Sequence, residues 1–340
     1  MRACETRRAL RQTRRLGLPH PSAALGSTRP TWAAGHGAAR DGSRAEAQWA
    51  KRSSGGRRAR QARGVGPAAA ARGAALQFEA AVAGGIPVVK GLREGTSANA
   101  LERIYGILNG TCNYILSAME SSGAGFDETL KEAQRLGYAE ADPGFDIEGT
   151  DAAHKLAILA AIGFGARLDF DSVRVSGITR IQAADIAQAD VLGFVIRLIA
   201  MADVEPGADG KPHLLQRVRP CLVSKDHPLA PVDGPTNAVV AEGNFSGRLL
   251  FQGAGAGEGP PASAVVADLI DIARAEVGAP FSIPVAQLAA MPPAEPGDRM
   301  ESTYLRFTVA DRPGVLAEIT AAMRDAGVSI ESLIQTARAA

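Results

Sequence analysis

Gly137–Gly165 reads GYAEADPGFDIEGTDAAHKLAILAAIGFG, an acidic, turn-rich half joined directly to a helical half. Pro143, Gly144 and Gly149 keep the first half from being helical throughout, so it is a loop. From Thr150 the Ala/Leu/Ile pattern predicts a buried helix, begun by Thr150 or Asp151 and closed by Gly163 and Gly165. Asp151 and Lys155 then share one face, one turn apart. Glu140, Asp142, Asp146, Glu148 and Asp151 all precede that single lysine. Acids so crowded require a cationic partner or a substrate ammonium. An acidic helix start with a surface ion pair accounts for the pattern as well as a catalytic site does.

Upstream, LQFEAAVAGGIPVVKGLREG from Leu76 holds a strand-like apolar run, a Gly84-Gly85 turn, and Pro87 leading into Val88-Val89. The Gly-Gly pair suits a tight turn better than a monovalent-cation site. Ile104, Gly106 and Leu108 read as a strand, turned by Asn109-Gly110 into a helix, Thr111–Glu120, capped by Thr111. A second, amphipathic helix spans Phe126–Leu136 and stops at Gly137. Asn109-Gly110-Thr111 also spells a glycosylation sequon, which is noise without a secretory signal.

Downstream, VRVSGITRI and RVRPCLVSKDHPLAPVDGPTNAVVAEG predict strands, and DIAQADVLGFVIRLIAMADV a helix passing into a strand. This alternation lacks a strict βαβ rhythm, so the fold class is α+β, one mixed sheet covered by helices. FQGAGAGEGPPASAVVADL places a glycine-dense loop before a helix that Ser263 can cap, an arrangement suited to a phosphate but common without one. Residues 279–300 are Pro-rich and read as a linker. TYLRFTVADRPGVLAEITAAMRDAGVSIESLIQ then reads strand, turn, helix, strand.

The near-neutral net charge of +1 over 340 residues conceals two kinds of polypeptide. Residues 1–75 carry 15 Arg and 1 Lys against Glu5, Asp41 and Glu46, a net of +13, while the remainder is net −12. The basic segment has almost no apolar periodicity and is expected to be disordered. It resembles an organellar transit peptide or a basic nucleic-acid arm in composition, yet Trp32 and Trp49 are too sparse to stack bases. A GC-rich gene read from a wrong start or frame gives the same Ala/Gly/Arg/Pro bias. Cys4, Cys112 and Cys221 form no metal or disulfide spacing and fit a reducing cytoplasm. No apolar run is long enough for a membrane helix.

EAAVAGGIPVVKGLREG at Glu79–Gly95, YGILNGTCNYIL at Tyr105–Leu116, the acidic stretch from Gly137 and FQGAGAGEGPPASAVVADL together resemble homoserine dehydrogenase, in that family's order and across roughly residues 76–278. DRPGVL, a helix and VSIESLIQ resemble the ACT regulatory module, in residues 301–340 and in incomplete form. The resemblance implies interconversion of L-aspartate 4-semialdehyde and L-homoserine with NADP or NAD, on the route to threonine, methionine and isoleucine. By position Lys155 resembles the catalytic lysine that protonates the aldehyde oxygen. Glu140, Asp146 and Asp151 resemble the homoserine-binding acids, and Gly257 a cofactor-contacting glycine. Glu79, Val82, Gly84 and Ile86 resemble a sodium site. A homodimer or higher oligomer and a threonine effector are implied as well, with no nucleic acid and no membrane.

The departures from the family are equally specific. No strand followed by G-x-G-x-x-G precedes residue 76, and a second substrate-side lysine of the nucleotide domain has no counterpart. Residues 1–75 are therefore expected to be a misread or misassembled start, and the chain to turn over little. A non-catalytic amino-acid-binding or assembly subunit is the alternative, disfavoured because such a module has no need of the lysine and its acids.

Overall fold

In a computed structural model of the chain, residues 66–207, 209–294 and 301–335 are described, all within one compact unit, Lys51–Ala340. Six strands form a mixed sheet: β1 (Leu101–Ile107), β2 (Arg174–Val175), β3 (Phe194–Pro206), β4 (Pro212–Ser224), β5 (Thr236–Gly243) and β6 (Gly247–Ala254). Their order is β2-β4-β3-β1-β5-β6. Every pairing is antiparallel except the short parallel one of β2 with β4. The α+β expectation of a mixed sheet covered by helices holds.

Period-two patterning explains why both faces of this sheet are buried. On β3, Ile196, Leu198, Ala200 and Ala202 face one core, while Val195 and Ile199 face another. On β5, Val239 and Ala241 enter the first core and Ala238 and Val240 the second. The first core is filled by α1 (Gly110–Ser122), α2 (Phe126–Arg135), α3 (Thr150–Phe164) and α4 (Ala183–Val191). The second is closed by Leu229, Ala230 and Val232 from the loop between β4 and β5. Helix α3 is apolar nearly all round, with buried residues from Asp151 to Ile162, and so lies in the interior of the unit.

Several local expectations change. Asn109, not Thr111, caps α1: its backbone is extended and its Oδ1 accepts from Cys112 N at 2.8 Å. No strand forms over 76–89; Glu79–Ala81 is a 3₁₀ turn and Val88–Lys90 begins a short helix continued by a π-turn over Gly91–Gly95. The reason is Glu79, whose carboxylate accepts from Val89 N at 2.9 Å and Lys90 N at 2.8 Å and caps that helix from a distance. Helix α5 (Gly259–Ala273) starts four residues before Ser263, because Pro260 and Pro261 are tolerated in a first turn that needs no amide donors.

The proline-rich stretch is no free linker across its described part, 279–294. Phe281, Leu288 and Ala294 are buried, and Ala166 bridges to Ala289 and Leu214 to Pro293. These apolar anchors strap it onto the domain. Helix α6 (Val315–Asp325) forms as expected, but the flanking segments of the ACT-like region have no ladder partners among the described residues. Of the basic segment, residues 1–65 lie outside the described residues, while 66–71 form a helical turn with Gly66 packed near Phe281 and Val285.

Candidate active site

The end of β1 and the start of α1 carry Leu108 and Asn109 to the N-terminal end of α3. Gly149 begins α3 in the left-handed region, φ 84°, rather than a side-chain cap from Thr150 or Asp151. That glycine lets the acidic loop arrive at close quarters: a Cβ there would lie 3.1 Å from Val175 Cγ1 and 3.2 Å from Val218 Cγ1. Just before it, Gly144–Ile147 forms a single helical turn that aims Asp146 inward.

Lys155 Nζ stands 2.7 Å from Asp151 Oδ2 and donates to Leu108 O at 2.9 Å. Its side chain keeps 13% of its surface exposed, enough to meet a ligand. The Asn109 amide bridges the two acids, donating to Asp146 Oδ1 at 2.8 Å and to Asp151 Oδ2 at 2.9 Å. Thr111 Oγ1 donates to Tyr138 O at 2.8 Å and reaches Asp146 Oδ2 at a long 3.4 Å. Tyr138 in turn packs against Tyr114 of α1, the rings tilted by 38° with centroids 4.5 Å apart, which ties the acidic loop to α1. Cys112 Sγ donates to Asp146 O at 3.1 Å.

Burial pushes the Asp146 carboxyl above the ordinary aspartate range, and the Asp151 charge pushes it further; Asn109, Lys155 and Thr111 pull the other way. The Cys112 thiol is raised well above its usual value, chiefly by burial and then by Asp146 and Asp151, so it serves as a packed hydrogen-bond donor rather than a nucleophile. Lysine has three donors, and two are committed to Leu108 and Asp151. The third is left for a ligand oxygen.

The structure thus brings together Lys155, Asp151 and Asp146. It does not bring in Glu140, which is exposed and whose backbone carbonyl accepts from Gln134 Nε2 at 3.0 Å. Asn109 and Thr111 were missed as site residues, read as a turn and a helix cap. The usable signal was an Asn at the exact strand-to-helix junction facing an acidic loop.

Gly257 lies at the exposed tip of the loop between β6 and α5, with φ 106°. A Cβ there would meet only Pro260 Cδ, at 3.7 Å. The loop is open to a flat group, whereas Pro260 and Pro261 remove two of the first amide donors of α5 and weaken it as a phosphate cradle. Elsewhere Glu79 is buried with Val82, Gly84 and Ile86 around it in sequence, and Ala83 and Gly84 both take positive φ, 55° and 45°. Burial raises the Glu79 carboxyl, opposed by its two backbone hydrogen bonds. Each Glu79 oxygen already accepts a backbone amide, and Val88 N donates to Ile86 O at 2.7 Å, so a hard cation here would share these oxygens with the amides.

The homoserine dehydrogenase family profile matches residues 87–270, and the ACT domain profile matches 303–338. A homoserine dehydrogenase of Synechocystis is 47% identical over 276 residues, 79% of this chain and 63% of that protein. One from Pseudomonas aeruginosa is 47% identical over 272 residues, 78% and 61% respectively. The crystal structure of a homoserine dehydrogenase from Thiobacillus denitrificans superposes with a TM-score of 0.72 at 44% identity, covering 82% of this chain and 64% of that one. The chain spans about three-fifths of the length of the curated relatives it matches. With more than half of its residues inside the family profile, this chain belongs to the homoserine dehydrogenase family and carries an ACT domain after the region that profile matches.

Proposed function

We propose that this chain binds L-homoserine and L-aspartate 4-semialdehyde and performs the substrate side of their NAD(P)-linked interconversion. The observation that carries the reading is the hydrogen-bonded row Lys155–Asp151–Asn109–Asp146, with one lysine donor left over. Asp146, on the turn just before α3, and Asp151, in its first turn, hold the substrate ammonium between two carboxylates joined by the Asn109 amide. Lys155 donates to the aldehyde oxygen and gives it a proton as negative charge develops there, and takes that proton back from homoserine in the reverse direction. A bound nicotinamide supplies or accepts the hydride. Leu108 O and Asp151 orient the ammonium so that the donor is in place before the charge appears.

Gly257, at the open loop tip, would contact bound NADP or NAD. Val265, Val266, Leu269 and Ile270 leave an apolar face exposed on the adjoining α5, fitting a nucleotide-binding unit packed alongside. Glu79 and the carbonyls of Val82, Gly84 and Ile86 are the residues that would hold a sodium ion; Glu140, exposed and outside the hydrogen-bonded row, is given no binding role. Threonine at the ACT domain and association into at least a dimer complete the reading.

The test follows nicotinamide absorbance with NADPH and aspartate semialdehyde. Lys155→Met should remove whatever turnover the chain shows by about 10²-fold or more. Turnover that survives the substitution would overturn the role of Lys155.

A further inference from the structure

The start of the ACT domain is fastened to the catalytic region at the place that supports the acidic turn. Glu301 sets Oε1 2.5 Å from Arg217 Nη2 and Oε2 2.5 Å from Arg219 Nη2, so one carboxylate spans two arginines on the same face of β4. Tyr304 Oη donates to Asp185 Oδ1 at 3.0 Å, and Arg306 Nε lies 3.3 Å from the same oxygen. Arg306 also donates to the Gln182 side chain. Gln182 and Asp185 form the capping box of α4. The arginine pair, Arg217 first, holds the Glu301 carboxyl at about 2, so it is ionised throughout the neutral range.

Behind Arg217 the packing runs without a gap to the active-site helix. Arg217 and Val218 pair with Arg174 and Val175 of β2, and Ser176 N donates to Val218 O at 2.8 Å. Ile178 N donates to Ile147 O at 2.8 Å. A Cβ at Gly177 would fall 2.2 Å from Ile147 O and 2.5 Å from Glu148 Cα, so these two backbones touch. Val175 and Val218 are the side chains that confine Gly149, two residues before Asp151. Strand β2 is only two residues long and exposed, held by β4 on one side and by the acidic turn on the other. Such an element follows whatever its neighbours do.

We propose that Glu301 is a positioning residue: by gripping Arg217 it fixes the Val218–Val175–Gly149 stack and hence the turn that carries Asp146 and Asp151. Its consequence for substrate binding rests on the site proposed above; the packing does not. The two places are joined by continuous contacts through β2 and the turn rather than by mere proximity.

Amide hydrogen exchange on the full chain decides it. In Glu301→Gln, amides in 146–153 should exchange faster by about threefold or more, while those of β5 and β6 stay unchanged. Arg217→Gln should do the same, and the double variant should add nothing to Glu301→Gln, because the Glu301–Arg217 contact is already lost in that single variant. Tyr304→Phe releases the Asp185 contact while leaving the Glu301 grip, and should leave 146–153 as in the wild type. Unchanged exchange in 146–153 for Glu301→Gln, or equal loosening in Tyr304→Phe, overturns the proposal. Should the Gln variants lose the fold, Glu301→Asp, which keeps the charge but shortens its reach, gives the same comparison. Calorimetry with L-homoserine on the same samples separates the two readings: no binding by the wild type removes the substrate assignment, and the exchange result still stands or falls alone.

Discussion

Asp151 and Lys155 are one helical turn apart on α3, with 2.7 Å between carboxylate and ammonium, and the same Asp151 oxygen accepts the Asn109 amide at 2.9 Å. A surface i,i+4 pair is worth only a few tenths of a kcal/mol, roughly, and is screened by salt. This one is largely buried, is anchored to the end of β1 through Leu108 O, and is continued to a second acid. Geometry of this kind serves a ligand charge more than it serves stability.

Asp146 gives a pH signature. Its folded-state pKa lies above the unfolded value, from burial first and Asp151 second. The native state therefore binds the proton more tightly, and stability falls as pH rises from the ordinary aspartate value through the raised one. Ammonium binding runs the other way, since it needs the ionised carboxylate. Melting temperature and L-homoserine affinity should move in opposite directions across that window in the wild type. In Asp146→Asn the melting trend should flatten and the affinity drop. Parallel movement of the two in the wild type would contradict the assignment.

Asn109→Ala removes both a helix cap and the bridge between two carboxylates. Loss of the cap alone costs about 1 kcal/mol, and the unbridged acids repel, so a total of about 2–4 kcal/mol is expected in urea unfolding. Asn109→Asp keeps a capping oxygen but adds a third negative charge, and should be the worse of the two for stability at neutral pH. The reverse order would show that the amide's donors matter less than its cap.

Much of this was legible in the sequence because the responsible physics is local. The Ala/Leu/Ile run and its flanking glycines placed α3 within a residue, and the i,i+4 relation of Asp151 to Lys155 followed from helical periodicity alone. What local pattern cannot show is which distant backbone a side chain will satisfy. Glu79 looked like part of a strand because nothing nearby reveals that it caps a helix ten residues on; Asn109 looked like a turn because its partners, Asp146 and Asp151, are far along the chain. Prolines between 280 and 293 suggested a linker, whereas Phe281 and Leu288 bury themselves and carry the segment with them. Tertiary burial decided each of these against the local signal.

Gly149→Ala tests the seat of the acidic turn. The residue has φ 84°, and the left-handed region costs a Cβ-bearing residue about 1–2 kcal/mol before any clash. The neighbours at 3.1 and 3.2 Å, Val175 and Val218, must also yield. A destabilisation of about 2 kcal/mol or more in thermal unfolding is expected, with homoserine affinity falling alongside. Gly123→Ala provides the contrast, since it shares a positive φ of 72° but has nothing within 4 Å. Its cost should be smaller and its affinity unchanged.

Glu79 tests the cation reading. Exchanging sodium chloride for choline chloride at constant ionic strength should lower the melting temperature of the wild type and leave Glu79→Gln indifferent to the exchange. Glu79→Ala strands the amides of Val89 and Lys90 and should cost about 2–4 kcal/mol in either salt. A wild type equally stable in both salts would leave Glu79 as a helix cap and nothing more.

The most direct measurement of the central claim is calorimetric titration of L-homoserine into the chain and into its Asp151→Asn variant. The account predicts saturable binding by the wild type, weakened about tenfold or more in the variant, since a charge-assisted hydrogen bond to the ligand is lost. No heat from the wild type, or equal affinity in the two, would contradict it.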